Sequence, residues 1–193
     1  MNKFTVAFII IILAGLLATG FVYFRRPATK HIGASTDVPV GTATLELVPS
    51  KRSLSVGEQV TVEVVGDTGE DLTTGVDLDL RYDPVLFELV DADTVTAGVQ
   101  IGAGSLFDLV PHNVTTLATG LISYSTSQQP TENPIKLTQG KVATITLKAK
   151  AVGTSTISFT HTPGSLSDTN IIKAGDGRDL LNNATNLEIT IVK

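Results

Sequence analysis

The residues of this 193-residue chain that are best suited to chemistry are acidic side chains at short, regular spacing. Asp77 and Asp79 alternate with apolar residues, and Arg81 follows at the same interval. Alternate residues of an extended strand share one face, so these three side chains would form a row of charges. Paired carboxylates hydrolyse glycosidic bonds only across a cleft that also holds the substrate, and nothing in the sequence indicates such a cleft. We therefore expect an exposed charged surface and no enzymatic activity.

A second group of oxygen-bearing side chains lies between residues 167 and 184, a polar stretch that we expect to be a long loop. Asp176 and Asp179 are weak candidates for binding calcium, with Asp168 and Asn170 nearby. A calcium loop alternates its oxygen ligands and closes on a glutamate. This stretch has neither feature, and it carries an arginine between the two candidates. The sequence therefore favours a structural turn without a cofactor, with calcium as the alternative.

The remaining composition excludes several classes of protein. The chain has no cysteine, which excludes thiolate zinc sites, iron–sulfur clusters, disulfides and a cysteine nucleophile. His112 and His161 have no partner at the spacing of metal ligands. The formal net charge is −5, from 14 basic and 19 acidic residues, and this opposes nucleic-acid binding because phosphates require a basic surface.

The longest apolar run of the chain lies at its N-terminus. Residues 4–24, from Phe4 to Phe24, contain no charged residue. A helix of that length spans about 30 Å, which is the thickness of the hydrocarbon core of a bilayer. We predict that residues 1–26 form an uncleaved transmembrane anchor. A signal peptide cleaved near Gly20 is the alternative, but the apolar run continues beyond that position.

The charges that flank this run leave its orientation open. Lys3 lies on one side, and Arg25, Arg26 and Lys30 lie on the other, so a literal count of positive charges would place the following domain inside. Long domains translocate largely regardless of such small differences. Residues 27–41 are rich in Pro, Gly, Ser, Thr and Ala and predict a flexible linker. We predict a single-pass protein of the cell membrane whose C-terminal domain is extracytoplasmic.

The domain that we assign to residues 42–193 alternates apolar and polar residues almost throughout. Such a period of two is typical of antiparallel sheets with one buried and one solvated face. Turn residues such as Gly, Asp and Pro separate the runs. The pattern therefore predicts a two-sheet sandwich. The clear strands lie at residues 43–48, 60–65, 76–83, 121–125, 143–148, 157–160 and 187–192, and two further strands are expected near 86–90 and 106–110.

The third of these strands carries a recognisable motif. Residues 75–89, GVDLDLRYDPVLFEL, resemble the signature of cohesin domains, in which a strand ends in Tyr-Asp-Pro and a short apolar segment follows. Residues 49–64, 140–149 and 152–159 resemble the opening of that family, its late glycine-led strand and the strand after it. The resemblance covers about residues 42–193. It implies an all-β fold, a nine-stranded antiparallel jelly-roll sandwich, here preceded by one transmembrane helix.

The resemblance also implies a binding surface. In cellulosomes, cohesins hold enzymes by binding dockerin modules, and the dockerin contributes the calcium. Alignment on the Tyr-Asp-Pro motif places Asp77 where cellulosomal cohesins carry an acidic residue that contacts the dockerin. Asp79 and Arg81, the next outward residues of that strand, lie on the same face as Asp77. Ser123 and Ser125 join this face if the strand that carries them is a neighbour in the same sheet. The predicted partner-binding face comprises Asp77, Asp79, Arg81, Ser123 and Ser125.

These observations lead to one functional prediction and two alternatives. We predict a membrane-anchored, extracytoplasmic cohesin-like module that holds a dockerin-like protein partner at the cell surface. The alternatives are a carbohydrate-binding module linked to polysaccharide degradation and a structural surface or adhesion subunit. A sugar platform needs exposed aromatic rings, but Tyr82, Tyr124 and Phe159 fall on inward phases of their strands. A hydrogen-bonding saccharide site in the loops stays open.

Overall fold

The computed structural model describes residues 41–130 and 132–193. The predicted anchor over residues 1–26, with Phe4 and Phe24 at the ends of its apolar run, lies outside the described residues, as does the predicted linker up to residue 40. Within the described part of the chain, no helix has the length and apolar character needed to cross a membrane.

The described residues form thirteen β-strands. Nine of them have five residues or more, whereas β2, β5, β6 and β11 have two to four. The prediction of nine strands was therefore wrong: β2, β6 and β11 are too short to show a clear alternation, and the polar residues of β12 obscure it. The strands are β1 (Ala43–Pro49), β2 (Ser53–Ser55), β3 (Gln59–Asp67), β4 (Thr73–Arg81), β5 (Phe87–Leu89), β6 (Gly102–Ala103), β7 (Leu109–Thr116), β8 (Leu121–Ser127), β9 (Gly140–Ala149), β10 (Gly153–Phe159), β11 (Asn170–Lys173), β12 (Leu181–Thr185) and β13 (Leu187–Val192).

The strands form two sheets. The first sheet has the order β12-β1-β3-β9-β5, and β6 also pairs with β9. The second sheet has the order β2-β13-β10-β4-β8-β7, and β11 also pairs with β4. Two pairs are parallel, β1 with β12 and β13 with β2, so the sandwich is not purely antiparallel as predicted. In both parallel pairs the outer strand is the short one at the end of its sheet.

The core fills the space between the inward faces of the two sheets. The alternating residues Leu45 and Leu47 of β1, Leu78 and Leu80 of β4 and Tyr124 of β8 are at most 1% exposed. Their neighbours in sequence point to solvent, which is the pattern that the period of two predicts. Burial also raises the pKa of the Tyr124 phenol, because the charged phenolate is disfavoured away from water.

The Tyr-Asp-Pro motif explains how the chain passes from one sheet to the other. Tyr82 is buried at the end of β4. The Asp83 carboxylate then accepts the Val85 N–H at 2.7 Å, and its carbonyl accepts the Phe87 N–H at 2.9 Å. These bonds form a tight turn, after which β5 pairs with β9 of the first sheet. The motif is therefore a sheet-changing turn.

Two parts of the predicted pattern need correction. The stretch over residues 167–184 was expected to be a loop, but it contains β11 and β12. Its polar residues obscure the alternation because Asn182 and Asn183 of β12 are exposed at the end of a sheet. The strand expected near residues 106–110 begins only at Leu109, and most of β7 is exposed, since it is the last strand of the second sheet.

The second sheet is interrupted along one edge of β4. β10 pairs with β4 as far as Phe159 opposite Leu80, and β11 resumes the pairing with Asn170 opposite Asp77. The intervening residues 160–169 leave the sheet, and we call this segment the excursion. The same edge of β4 is thus covered by two strands in succession, with the excursion projecting between them.

Candidate binding face

The register of β4 and β8 brings the five residues of the predicted face together. Asp77 lies opposite Ser125 and Asp79 lies opposite Ser123. Both aspartates and both serines are partly exposed on the outer side of the second sheet, and Arg81 is exposed. The condition for including the serines, that their strand adjoins β4, is therefore met. Whether these residues bind a partner stays a prediction.

A depression of about 220 Å³ lies in the middle of this face. Asp77 and Asp79 line it from β4, and Ser123 and Ser125 line it from β8. Leu78 and Tyr124 also line it, and residues 166–168 of the excursion form a further wall. The wall formed by residues 166–168 was not predicted, because nothing in the sequence brings Asp168 next to residues about ninety positions earlier.

Thr169 holds the excursion against β4. Its hydroxyl accepts the Asp79 N–H at 3.0 Å and donates to the Asp79 carbonyl at 3.0 Å. The Thr160 N–H also donates to that carbonyl at 2.8 Å, and the Thr169 N–H donates to the Thr160 carbonyl at 2.9 Å. Thr169 is fully buried, so its side chain substitutes for the backbone hydrogen bonds that a continuous strand would make.

The two weak calcium candidates have different environments. Asp179 is 3% exposed, and its carboxylate accepts the N–H groups of Gly164, Ile171 and Leu181 at 3.1, 3.2 and 2.8 Å. Asp176 is exposed and accepts the Arg178 N–H. Among the described residues, no three acidic or histidine side chains are placed to hold a metal ion. Asp179 thus ties the excursion to β11 and to the start of β12.

An ion pair fastens the other end of β11. The Lys173 ammonium lies 2.6 Å from the Asp71 carboxylate, which precedes β4. This hydrogen bond from Lys173 lowers the pKa of the Asp71 carboxyl below its usual range, because it stabilises the charged form. Together with Asp179 and Thr169, the pair fixes β11 and the excursion at several points.

The surroundings of the depression combine apolar and polar groups. Val114 of β7 lies opposite Ser123 and is 52% exposed, and Leu166 of the excursion is 57% exposed. His112 of β7 is exposed opposite Ser125. His161 lies in the excursion, and its Nε2 is buried without a hydrogen-bond partner among the described residues. The face therefore presents carboxylates and hydroxyl groups at its centre and exposed apolar side chains beside them.

Aromatic side chains do not contribute to this face. The five aromatic residues of the described segments are at most 9% exposed and belong to the core; they are Tyr82, Phe87, Phe107, Tyr124 and Phe159. Sugar binding by stacking requires exposed ring faces. The described part of the chain therefore presents no aromatic platform for a polysaccharide.

Comparisons with known proteins agree with the resemblance seen in the sequence. The family model described as "Cohesin domain" matches residues 45–190, which is most of the chain. A search of curated proteins found no match.

Solved cohesin structures share the fold at low sequence identity. A type II cohesin domain from the cellulosome of Acetivibrio cellulolyticus is 23% identical, with a TM-score of 0.64 over 77% of this chain and 95% of that chain. A mutant type II cohesin–X-dockerin complex from the same organism has a chain that is 19% identical, with a TM-score of 0.61 over 78% of this chain and 99% of that chain. The seventh ScaB type I cohesin from Pseudobacteroides cellulosolvens is 19% identical, with a TM-score of 0.58 over 78% of this chain and 92% of that chain.

Proposed function

The chain belongs to the cohesin family, and from this premise we propose that it binds a dockerin-bearing protein through the outer face of the second sheet. The observation that carries the proposal is the register of β4 and β8, which groups Asp77 and Asp79 with Ser123 and Ser125 around one depression. The similar structure of a cohesin in complex with an X-dockerin supports the choice of partner.

The chemistry of the face supports binding rather than catalysis. Asp77 and Asp79 are neighbours on one strand, whereas glycosidase carboxylates face each other across a substrate cleft. The described residues that line the depression offer hydroxyl groups, and no histidine is among them to activate a nucleophile. We propose that the module holds its partner and leaves chemical steps to other proteins.

We further propose that residues 1–26 anchor the module in the cell membrane and that residues 27–41 separate it from the bilayer. The uncharged run over residues 4–24 supports the anchor, and the composition of the following segment supports the spacer. Such a protein would hold its partner at the outer surface of the membrane.

Binding assays with the full-length chain in mild detergent test the main proposal. We expect at least one member of a panel of purified, calcium-loaded dockerin modules to bind. Asp77→Lys and Asp79→Lys should each weaken that binding by roughly thirtyfold or more, because charge reversal at the centre of an interface removes an anchoring contact and adds repulsion. Isothermal titration calorimetry measures the affinities.

A matched control makes the same change on the opposite sheet. Glu46 of β1 is exposed on the outer side of the first sheet, so Glu46→Lys should leave the affinity within about twofold. If Glu46→Lys weakens binding and the two aspartate variants do not, the assigned face is wrong. If no dockerin binds, the proposed partner is wrong, and binding to a glycan array would then favour the saccharide alternative.

A further inference from the structure

The sequence contains two acceptor motifs for N-linked glycans, Asn-X-Thr, one over residues 113–115 and the other over residues 183–185. We propose that Asn183 carries an N-linked oligosaccharide and that Asn113 does not, because the fold exposes one motif and closes the other. The inference goes beyond the proposed function. It depends on the proposed extracytoplasmic position of the domain, since such glycans are attached to the surfaces of secreted domains.

The motif at Asn183 lies on an open part of the first sheet. β12 is the last strand of that sheet and pairs only with β1 among the described strands. Asn183 lies opposite Thr44 and Thr185 lies opposite Glu46, and all four residues are exposed. The two motif side chains therefore stand on the outer side of the sheet, next to a free strand edge that an enzyme can approach.

The acceptor amide of Asn183 is held only weakly. Its Nδ2 donates to the Thr185 hydroxyl oxygen at 3.3 Å, which is longer than most hydrogen bonds from N–H to oxygen. The contact places the amide and the hydroxyl, the two side-chain groups that define the motif, side by side. A transferase that recognises both groups therefore finds them together at the surface.

The motif at Asn113 is closed at both of these groups. The Asn113 Nδ2 donates to the Ile101 carbonyl at 2.8 Å, and its Oδ1 accepts the Ile101 N–H at 3.1 Å. The side chain thus joins β7 to the segment before β6. The Thr115 hydroxyl oxygen is buried and has no hydrogen-bond partner within the described residues. Modification of Asn113 would require both amide bonds to break and β7 to leave its place.

The reaction requires a membrane-bound oligosaccharyltransferase and an oligosaccharide linked to a polyprenyl phosphate or diphosphate. The Asn183 Nδ2 forms a bond to the anomeric carbon of the oligosaccharide. The bond between that carbon and the phosphate oxygen breaks, and its electron pair leaves with the lipid phosphate. The proton lost from the amide passes to a base of the transferase. The product is a neutral substituted amide, so the charge of the domain does not change.

The position of this glycan is compatible with partner binding. Asn183 lies on the outer side of the first sheet, whereas Asp77 and Asp79 lie on the outer side of the second sheet. A glycan at Asn183 would also cover the free edge of β12, whose unpaired backbone groups could otherwise pair with another chain. We therefore expect the glycosylated and unmodified domains to bind a dockerin equally well.

Transfer to the folded protein tests the site. The full-length chain in mild detergent is incubated with a purified single-subunit oligosaccharyltransferase and its polyprenyl-diphosphate-linked oligosaccharide. The chosen enzyme accepts synthetic peptides over residues 109–117 and 179–187 equally, so its sequence preference does not decide the result. Mass spectrometry of glycopeptides should show transfer to Asn183. Transfer to Asn113 should be at least about tenfold slower, because its two hydrogen bonds must break first. No transfer to Asn183, or equal rates at the two sites, would overturn the inference.

Variants of β12 show whether the motif itself is used. Asn183→Gln and Thr185→Ala should each abolish transfer to this strand, whereas Thr185→Ser should preserve it because serine also completes the motif. Asn182→Gln is the matched control: Asn182 is an exposed neighbour that has alanine two positions later, so its replacement should leave transfer unchanged. Persistent transfer in Thr185→Ala would show that the motif is not recognised and that the inference is wrong.

The cells in which the chain occurs provide the second test. In their membrane fraction, we expect the peptide that contains Asn183 to carry a glycan and the peptide that contains Asn113 to be unmodified. An unmodified Asn183 would overturn the inference and leave the proposed function intact, because dockerin binding uses the other sheet. A glycosylated Asn183 in a chain that binds no dockerin would instead support the inference and contradict the proposed partner.

Discussion

At the scale of single residues, Asp179 determines where the excursion lies. Its carboxylate is buried and accepts N–H groups from Gly164, Ile171 and Leu181, which belong to the excursion, β11 and β12. A residue that the sequence presents as a calcium candidate is thus a structural acceptor for backbone donors. Carboxylates bonded in this way replace the partners that irregular backbone otherwise lacks.

Asp179→Ala should therefore lower the free energy of unfolding by at least about 2 kcal/mol, because it leaves buried N–H groups without an acceptor. Urea unfolding followed by circular dichroism measures the change. Asp176→Ala is the matched control, since Asp176 is exposed, and it should change the stability by no more than about 0.5 kcal/mol. Equal effects of the two substitutions would contradict the assigned role of Asp179.

At the scale of elements, the hairpin of β7 and β8 is joined to the end of β4 through one glycine. Gly120 has a φ of +66°, and the Tyr82 N–H donates to its carbonyl at 3.0 Å. A Cβ atom at this position would collide with the Tyr82 carbonyl oxygen. The close approach keeps β8 in register with β4 and so keeps Ser123 opposite Asp79.

Gly120→Ala should destabilise the protein by roughly 3 kcal/mol or more, from left-handed strain together with the collision. Gly177→Ala separates the two causes, because Gly177 has a φ of +69° with nothing within 4 Å of the added atom. Gly177→Ala should therefore lower the free energy of unfolding by only about 1 kcal/mol. Thermal unfolding of both variants measures the difference, and equal losses would show that the backbone contact with Tyr82 is unimportant.

The same elements show what the sequence reveals and what it hides. The strands of the central pairs, β3 with β9 and β4 with β8, were predictable because each buries one face and keeps a clear period of two. β2 and β6 have too few residues to show a period. β12 is recognisable only from its parallel pairing with β1, which is a long-range contact.

The residues of the binding face were likewise predictable where they depend on alternation along one strand, and not where they depend on tertiary contacts. Asp77, Asp79 and Arg81 follow from alternation along one strand, and the serines required knowledge of which strand lies beside it. Asp168 could not be assigned, because its position depends on the bonds between Thr169 and Asp79. Local patterns carry information about faces of strands, whereas the walls of a depression depend on tertiary contacts.

At the scale of the whole molecule, the proposed anchor makes a prediction about intact cells. In cells that express the full-length chain with a C-terminal tag, protease added outside should remove the tag without lysis. Mass spectrometry of the membrane fraction should recover the apolar N-terminal segment of the chain. A tag that is protected until lysis would place the domain inside, and a chain that begins near residue 20 would indicate a cleaved signal peptide.

The two strands nearest the ends of the described chain, β1 and β13, both lie inside their sheets. β12 lies beyond β1 and β2 lies beyond β13, so each terminal strand is hydrogen-bonded on both sides. An outermost strand can be peeled away one bond at a time. A strand flanked on both sides must instead slide past two neighbours, which breaks many bonds together. Tension applied at the N-terminal end of β1 therefore has to break its pairings with β12 and β3 together, which would suit the proposed attachment of the module to a bilayer.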